Sequence, residues 1–382
     1  MPKRIGILTG GGDCPGLNNA IKWVTSAALD EGLAKKRGFE FEVEGIAYGW
    51  KGAVRLAKNP EDESAFRIPL DMEIVRKIDR DGGTILGSSR TNPFRVKEEG
   101  VAEPVDLSQK VVDALSHRYY SVVAIGGEDT LGVAAKMSRM GLNVVGIPKT
   151  IDKDLGGTDV TLGFDSAVNF VKDALTRLMY TAGSHEMNYF VEIMGRHTGH
   201  LAFNGGMAGG AHFILVPECE FDMQELFKMM VARKESKKRS ERYTIVAVAE
   251  GAKIKGLGEI LQGKKDSFGH PYLGGIAQHL RHEFERFVAY KYEARELVLG
   301  HLQRGGTPST LDMILGRLFG VKAIQLIDEG LFGRIACLRN NRILDAPMEV
   351  VEKLNYLDVK KCYDSKNFRP KLIAETVSFN TT

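Results

Sequence analysis

The segment GIPKTIDKDLGGTD, residues 146–159, follows an apolar run and carries two lysines and three aspartates beside a glycine pair. Asp152 and Asp154 stand two positions apart, so on an extended segment both carboxylates face one side. A third carboxylate, Glu128, sits at the mouth of the glycine turn GGED, residues 126–129. These positions suit proton transfer and metal binding: Asp152 as the base for an attacking hydroxyl, Asp154 as an orienting or metal-assisting group, and Glu128 as a Mg²⁺ ligand, direct or through water. Gly11, Gly12, Gly126 and Gly127 supply turns whose backbone N–H groups suit phosphate where a helix begins. Arg90, Arg196, Arg295 and Arg304 lie near strand exits or glycine clusters and offer planar forks for phosphate oxygens. A metal, a base and cations together are the parts phosphoryl transfer needs. Taken singly, each glycine turn is only a tight turn and each arginine only a surface or ion-paired residue. The combination carries the reading.

The elements that position these residues repeat one scheme. RIGILT (4–9) precedes GGGDCPG (10–16), and LNNAIKWVTSAAL (17–29) follows with apolar residues at helical spacing, Gly32 offering a stop. YYSVVAIGG (119–127) precedes TLGVAAKM, with Thr130 as a helix cap. LNVVGIP, NYFVEIMG, HFILVPE, YTIVAVAEG and ELVLGHLQRGG supply further strand exits. The chain has 43 glycines, against roughly 27 expected at ordinary usage, and most of the clusters they form stand at such exits. Strands alternating with helices predict doubly wound parallel α/β sheets, which hold ligands beyond the carboxyl ends of their strands. With 382 residues, two Rossmann-like α/β lobes with the active site in the cleft between them is the economical architecture. Segments 33–42 and 252–270 read as surface elaborations.

Composition excludes other classes. Hydrophobic residues make up 43% and charged residues 26%, as in ordinary globular proteins, and a net charge of +3 gives no footprint for nucleic acid or a membrane surface. RKESKKRSER (233–242) reads as a solvated face. Four cysteines lack metal-knuckle or redox spacing, no apolar run reaches bilayer length, and the N-terminal apolar stretch is too short for a secretory signal. The expectation is a soluble, cytoplasmic protein with reduced thiols.

In order and spacing, GGGDCPGLNNAI, GGTILGSSR, GGEDT, PKTIDKD, GTDVTLGFDSAV, VEIMGRHTGH, AEG and LGHLQRGGTPS closely resemble the phosphofructokinase family from residue 4 to about residue 325. GGEDT alone would fit distant NAD or lipid kinases equally; the full series does not. The resemblance implies Mg²⁺-dependent phosphorylation of D-fructose 6-phosphate to D-fructose 1,6-bisphosphate. It makes Gly11, Gly12 and Arg90 donor contacts and puts Glu128 in the place of the metal-associated aspartate. Thr150, Asp152 and Asp154 match the catalytic segment, with Asp152 the base for the sugar 1-hydroxyl. Met194, Gly195 and Arg196 match the sugar-phosphate and transition-state segment, and Glu250, Arg295, His301 and Arg304 the fructose 6-phosphate contacts. It also implies a homodimer or homotetramer, with Arg295 the candidate to cross between subunits. The lobes expected are 1–163 plus 303–355 for the donor and 164–302 plus 356–382 for the sugar phosphate.

Two positions bear on the donor. ATP-using members typically carry glycine where this chain has Asp129 and Lys149. An aspartate there takes up volume and repels a nucleotide's phosphates, whereas a lysine ammonium reaches a compact anionic donor. The pair resembles the signature of pyrophosphate-dependent members and predicts diphosphate as donor in a reversible reaction serving glycolysis and gluconeogenesis. A salt bridge between the two is the plainer reading, compatible with the same exclusion of ATP. The alternatives are an ATP-dependent enzyme, a preference for sedoheptulose 7-phosphate, and a non-catalytic regulatory homologue, the last disfavoured by the intact carboxylates. The chain departs from the family at Met187, where many members carry an arginine for the partner subunit's sugar phosphate. Asn188 and Lys291 are the nearby candidates to replace it. Lys22 and Thr25 occupy the region of the effector-binding basic residues of ATP-using members, so strong nucleotide allostery is not expected.

Overall fold

The computed structural model describes residues 2–59, 66–98, 100, 103–265 and 271–372. The ends of two expected segments, 266–270 and 373–382, lie outside the described residues. In chain order the described strands of three or more residues are β1 (Lys3–Thr9), β2 (Phe41–Ile46), β3 (Arg67–Pro69), β4 (Ser121–Gly126), β5 (Val144–Pro148), β6 (Asn188–Ile193), β7 (Phe213–Leu215), β8 (Thr244–Ala249), β9 (Leu261–Lys265), β10 (Pro271–Leu273), β11 (Ala294–Val298), β12 (Arg334–Arg339) and β13 (Arg342–Pro347). One sheet has the order β13-β12-β5-β4-β1-β2-β3, another β11-β6-β8-β7, and β9 and β10 form a hairpin. The first sheet is parallel from β12 to β2, with an antiparallel strand at each edge, and the second is parallel throughout.

Alternation along the strands builds these layers. Ile5 and Ile7 of β1 and Val123 and Ile125 of β4 pack with Leu17, Ile21 and Val24 of helix Leu17–Ala28 and with Phe319 and Ala323 of helix Thr310–Asp328. Leu8, Val122 and Ala124 point to the other face, against Trp50, Val111 and Leu131. In the second sheet, Phe190, Val246 and Val248 face Phe227, Leu280 and Phe284. Val191, Ile193 and Ala247 face the opposite way and join the core that also holds Val171 of helix Phe164–His185. That core is continuous between the two sheets, so the lobes meet over apolar packing and not over a loose linker.

Three of the helices that begin at glycines, which bring no side-chain cap, take an acid from elsewhere to satisfy their free amides. Asp312 accepts from Gly163 N and Ser166 N, both at 2.8 Å, at the start of Phe164–His185. Glu192 accepts from Gly275 N (3.0 Å) and Ala277 N (3.1 Å) at the start of Ile276–Phe287. Glu218 accepts from Gly199 N (2.9 Å) before His200–Ala208. Negative charge at a helix N-terminus is favourable, and here it also pins the helix to a second element.

Some local expectations change. Gly32 lies inside a short helix, Glu31–Arg37, and the first helix ends before it. Segment 33–42 is not all elaboration, because β2 begins at Phe41 and pairs in parallel with β1. The helix after β4 starts at Glu128 with Gly127 as cap, one turn earlier than a cap at Thr130 allows.

Candidate active site

β1 continues along the chain to β2 on one side, whereas β4 lies on the other, so the strand order reverses between β1 and β4. A crevice opens at such a point beyond the strand ends. Register aligns three exits there: Thr9 pairs with Ile125 and Gly126 with Pro148, and Gly10 N donates to Ile125 O (3.0 Å). The glycine loop after β1, the turn after β4 and Lys149 after β5 therefore lie side by side. One pocket is lined by Gly11, Gly12, Arg90, Gly127, Glu128, Asp129, Thr130, Lys149, Thr150, Asp152, Asp154, Arg196 and Arg304. It is a narrow cleft open to solvent on one side.

Close packing shapes the glycine loop. A Cβ on Gly12 would fall 2.0 Å from Nη1 of Arg304, whose guanidinium packs on the loop and donates to Asp13 O (3.1 Å). Beneath the loop, buried Lys149 donates from Nζ to the carbonyls of Gly10 (3.1 Å) and Gly12. Burial holds its ammonium below the ordinary lysine range, and the nearby Arg304 guanidinium pushes the same way.

The two aspartates reach the pocket by a route the sequence did not specify. Lys153, between them, has φ 56°, so the segment is not extended but turns through a left-handed residue. Asp152 is buried, and its Oδ1, like Oδ1 of Asp154, has no hydrogen-bond partner. Burial and the neighbouring Asp152 raise the Asp154 carboxyl to about 7.

From the second sheet, the exit of β6 carries Met194, Gly195 and Arg196, and that of β8 carries Glu250, since Ile193 pairs with Ala249. Gly195 has φ 140° and a Cβ there would meet Thr198 O at 2.7 Å, so the turn requires glycine. Glu250 accepts from Arg196 N (3.0 Å) and Gly195 N (3.3 Å), and burial raises its carboxyl to about 7. Thr198, which the sequence reading passed over inside MGRHTGH, ties the lobes together by donating to Asp152 O at 3.0 Å.

The structure thus gathers the expected donor and catalytic positions into one pocket, with Met194, Gly195 and Glu250 joined to it through Arg196. Arg295 and His301 are not part of it: both are exposed, Arg295 on the edge strand β11 and His301 just beyond. Of the candidates to replace the missing arginine, Asn188 is fully buried with its amide donating to Glu293 O (3.3 Å), and Lys291 pairs with Glu235 (3.0 Å). Lys22 pairs with Asp79 (2.9 Å), and Thr25 is buried with its hydroxyl on Ile21 O.

No group of three metal-ligating side chains stands close enough to cage an ion among the described residues. Mg²⁺ does not need one, since it keeps several waters and binds through one or two carboxylates plus substrate phosphates. The orphaned Oδ1 of Asp154 and the carboxylate of Glu128 on the same pocket wall fit that donor set. No described helix is long and apolar enough to cross a membrane.

The phosphofructokinase family model matches residues 4–327. The chain is 46% identical over 354 residues to the pyrophosphate–fructose 6-phosphate 1-phosphotransferase of Dictyoglomus thermophilum, covering 91% of this chain and 93% of that one. It is 43% identical over 342 residues to ATP-dependent 6-phosphofructokinase 3 of Streptomyces coelicolor, covering 89% and 92%. The crystal structure of a pyrophosphate-dependent phosphofructokinase from Marinobacter aquaeolei has the same fold, with a TM-score of 0.75 at 19% identity over 97% of this chain and 89% of that one. The chain belongs to the phosphofructokinase family.

Proposed function

We propose that the protein transfers a phosphoryl group from diphosphate to the 1-hydroxyl of D-fructose 6-phosphate, giving D-fructose 1,6-bisphosphate and phosphate, reversibly and in the cytoplasm. The observation that carries this reading is the placing of Asp129 and Lys149 on the wall of the pocket that also holds Glu128, Asp152 and Asp154: side chains stand there where ATP-using members carry glycine, which favours a compact anionic donor over a nucleotide. The name of the Dictyoglomus relative agrees. Glu128 and Asp154 would hold Mg²⁺, which when bound would supply charge neutralisation for the diphosphate oxygens.

The remaining work belongs to the chain. Asp152 accepts the proton of the sugar hydroxyl, and Thr150 N-terminal to it shapes the turn by accepting from Asp152 N (3.1 Å). Arg90 and the Gly12 amide hold the donor, and the Gly11 amide, given to Ser89 O (3.1 Å), fixes the loop beside it. Lys149 braces the glycine loop from beneath by donating to the carbonyls of Gly10 and Gly12, which holds the loop in shape for an anion above. Arg196 neutralises the transferring group, while Met194, Gly195, Glu250 and Arg304 frame the sugar phosphate. Arg295 and His301, exposed on one chain, complete the sugar-phosphate site in a homodimer or homotetramer. Residues 1–163 plus 303–355 form the donor lobe, and the rest the acceptor lobe.

The ATP reading has support in the name of the Streptomyces relative. Initial rates with Mg²⁺ and fructose 6-phosphate, comparing diphosphate with ATP at matched concentrations, separate the two. A large preference for diphosphate supports the proposal, and a preference for ATP overturns it. Because Met187 cannot bind phosphate, sedoheptulose 7-phosphate belongs in the same assay as an acceptor.

A further inference from the structure

The turn that presents the two aspartates is strained. Lys153 lies in the left-handed region at φ 56°, a conformation that costs a non-glycine residue about 1 kcal/mol or more and persists only where its surroundings fix it. What fixes it comes from a distant part of the chain. Asn355 donates from its backbone N to Asp154 O (2.7 Å) and from its side-chain amide to Lys153 O (3.0 Å). Just before it, Lys353 O accepts from Gly156 N (2.9 Å) and Leu354 bridges Leu155. The same Asn355 is held from the other lobe: His200 Nε2 lies 3.0 Å from its carbonyl oxygen. A carbonyl only accepts, so Nε2 carries the proton. Leu357 N completes the attachment on Glu218 (2.9 Å), which also takes Gly199 N.

From this geometry we infer that Asn355 is a positioning residue for the reaction: its amide clamps the left-handed turn at Lys153, and His200 ties that clamp to the lobe carrying Arg196. The carboxylates of Asp152 and Asp154 then keep one orientation toward Arg196 through the catalytic cycle. Ordinary loop contacts could not do this. One residue here satisfies the carbonyls of Lys153, from its side-chain amide, and of Asp154, from its backbone N, while its own carbonyl meets the opposite lobe through one imidazole. The role rests on the catalytic assignment of these aspartates proposed above.

The test uses Asn355→Ala, with His200→Leu and His200→Gln as a second pair, in the full-length protein. Glutamine places an N–H donor near the Nε2 position, so it preserves the tie that leucine removes. The expected result for Asn355→Ala is kcat lower by roughly tenfold, with KM for diphosphate and for fructose 6-phosphate within about twofold. His200→Leu should lower kcat in the same pattern and His200→Gln should restore most of it. Amide hydrogen exchange of residues 152–156 should quicken in Asn355→Ala and His200→Leu but not in His200→Gln. Unchanged kcat, or KM rising in step with a general loss of stability, overturns the inference. If the wild-type chain turns over neither donor, the functional reading fails; exchange at 152–156 still judges the clamp, and unchanged exchange rejects it.

Discussion

Removing the charge of Asp154 should stabilise the protein at alkaline pH while abolishing its activity. In the folded chain this carboxyl titrates near 7, against an ordinary value of 3.8, because burial and Asp152 oppose its ionisation. Folding therefore favours the protonated form. That contribution to stability is fully present below about pH 4 and is lost as pH rises through 7. At pH 5 the folded carboxyl is still protonated and the unfolded one largely ionised, whereas at pH 8 both are ionised. Each tenfold difference in proton affinity is worth about 1.4 kcal/mol, so between pH 5 and pH 8 the wild type loses about 2.5 kcal/mol through this group. Asp154→Asn keeps the shape and never ionises. Urea unfolding of the ligand-free variant and the wild type at both pH values should show the variant's relative stability rising by about 2.5 kcal/mol from pH 5 to pH 8. Comparing the two proteins cancels the titrating groups that do not interact with Asp154. A stability difference that does not change with pH would refute the reasoning, and so would a variant that is less stable at pH 8 than at pH 5 relative to wild type.

Glu250→Gln should behave similarly, because that carboxyl also sits near 7, and glutamine keeps an acceptor for Arg196 N; the same unfolding series checks it. Glu192→Ala should cost about 2–3 kcal/mol, since it strips the acceptor from Gly275 N and Ala277 N at a buried helix start, and a drop in thermal midpoint with activity per folded molecule retained would show it. Asp129→Gly combined with Lys149→Gly should shift the ratio of kcat/KM for ATP over diphosphate by roughly 100-fold or more; an unchanged ratio would make Lys149 a purely structural residue. Gly195→Ala should lower kcat/KM for fructose 6-phosphate by at least about tenfold, because φ 140° disfavours a side chain and its Cβ would press on Thr198 O; an active variant would show the turn can relax.

The alternation of strands and helices, and the chemistry at strand exits, were legible because both are local. A buried parallel strand needs a continuous apolar run such as SVVAIG, and a glycine turn must follow it closely. The same rule explains what went unread. β2, FEVEGI, spaces its apolar residues between glutamates, and one of these, Glu44, is satisfied by Arg4, Arg67, Arg118 and the Tyr119 hydroxyl from neighbouring elements. β12 and β13 form an antiparallel hairpin at the sheet edge, with charged residues the pattern assigns to a surface.

The pairing of Asp152 with Asp154 was readable from their spacing, but the extended segment assumed for it was not the means. A left-handed Lys153 turns the chain instead, and a single sequence carries no mark of that, because the strain is offset by Asn355 about two hundred positions later. Residue types and their order determined by themselves which groups stand at the ends of strands and what reaction such groups suit. Tertiary structure alone decided which ends meet, since that follows from the strand order reversal between β1 and β4 and from the packing of two sheets on one core. It also decided the electrostatics, since Asp154 and Glu250 reach about 7 only through burial, which no spacing of letters contains.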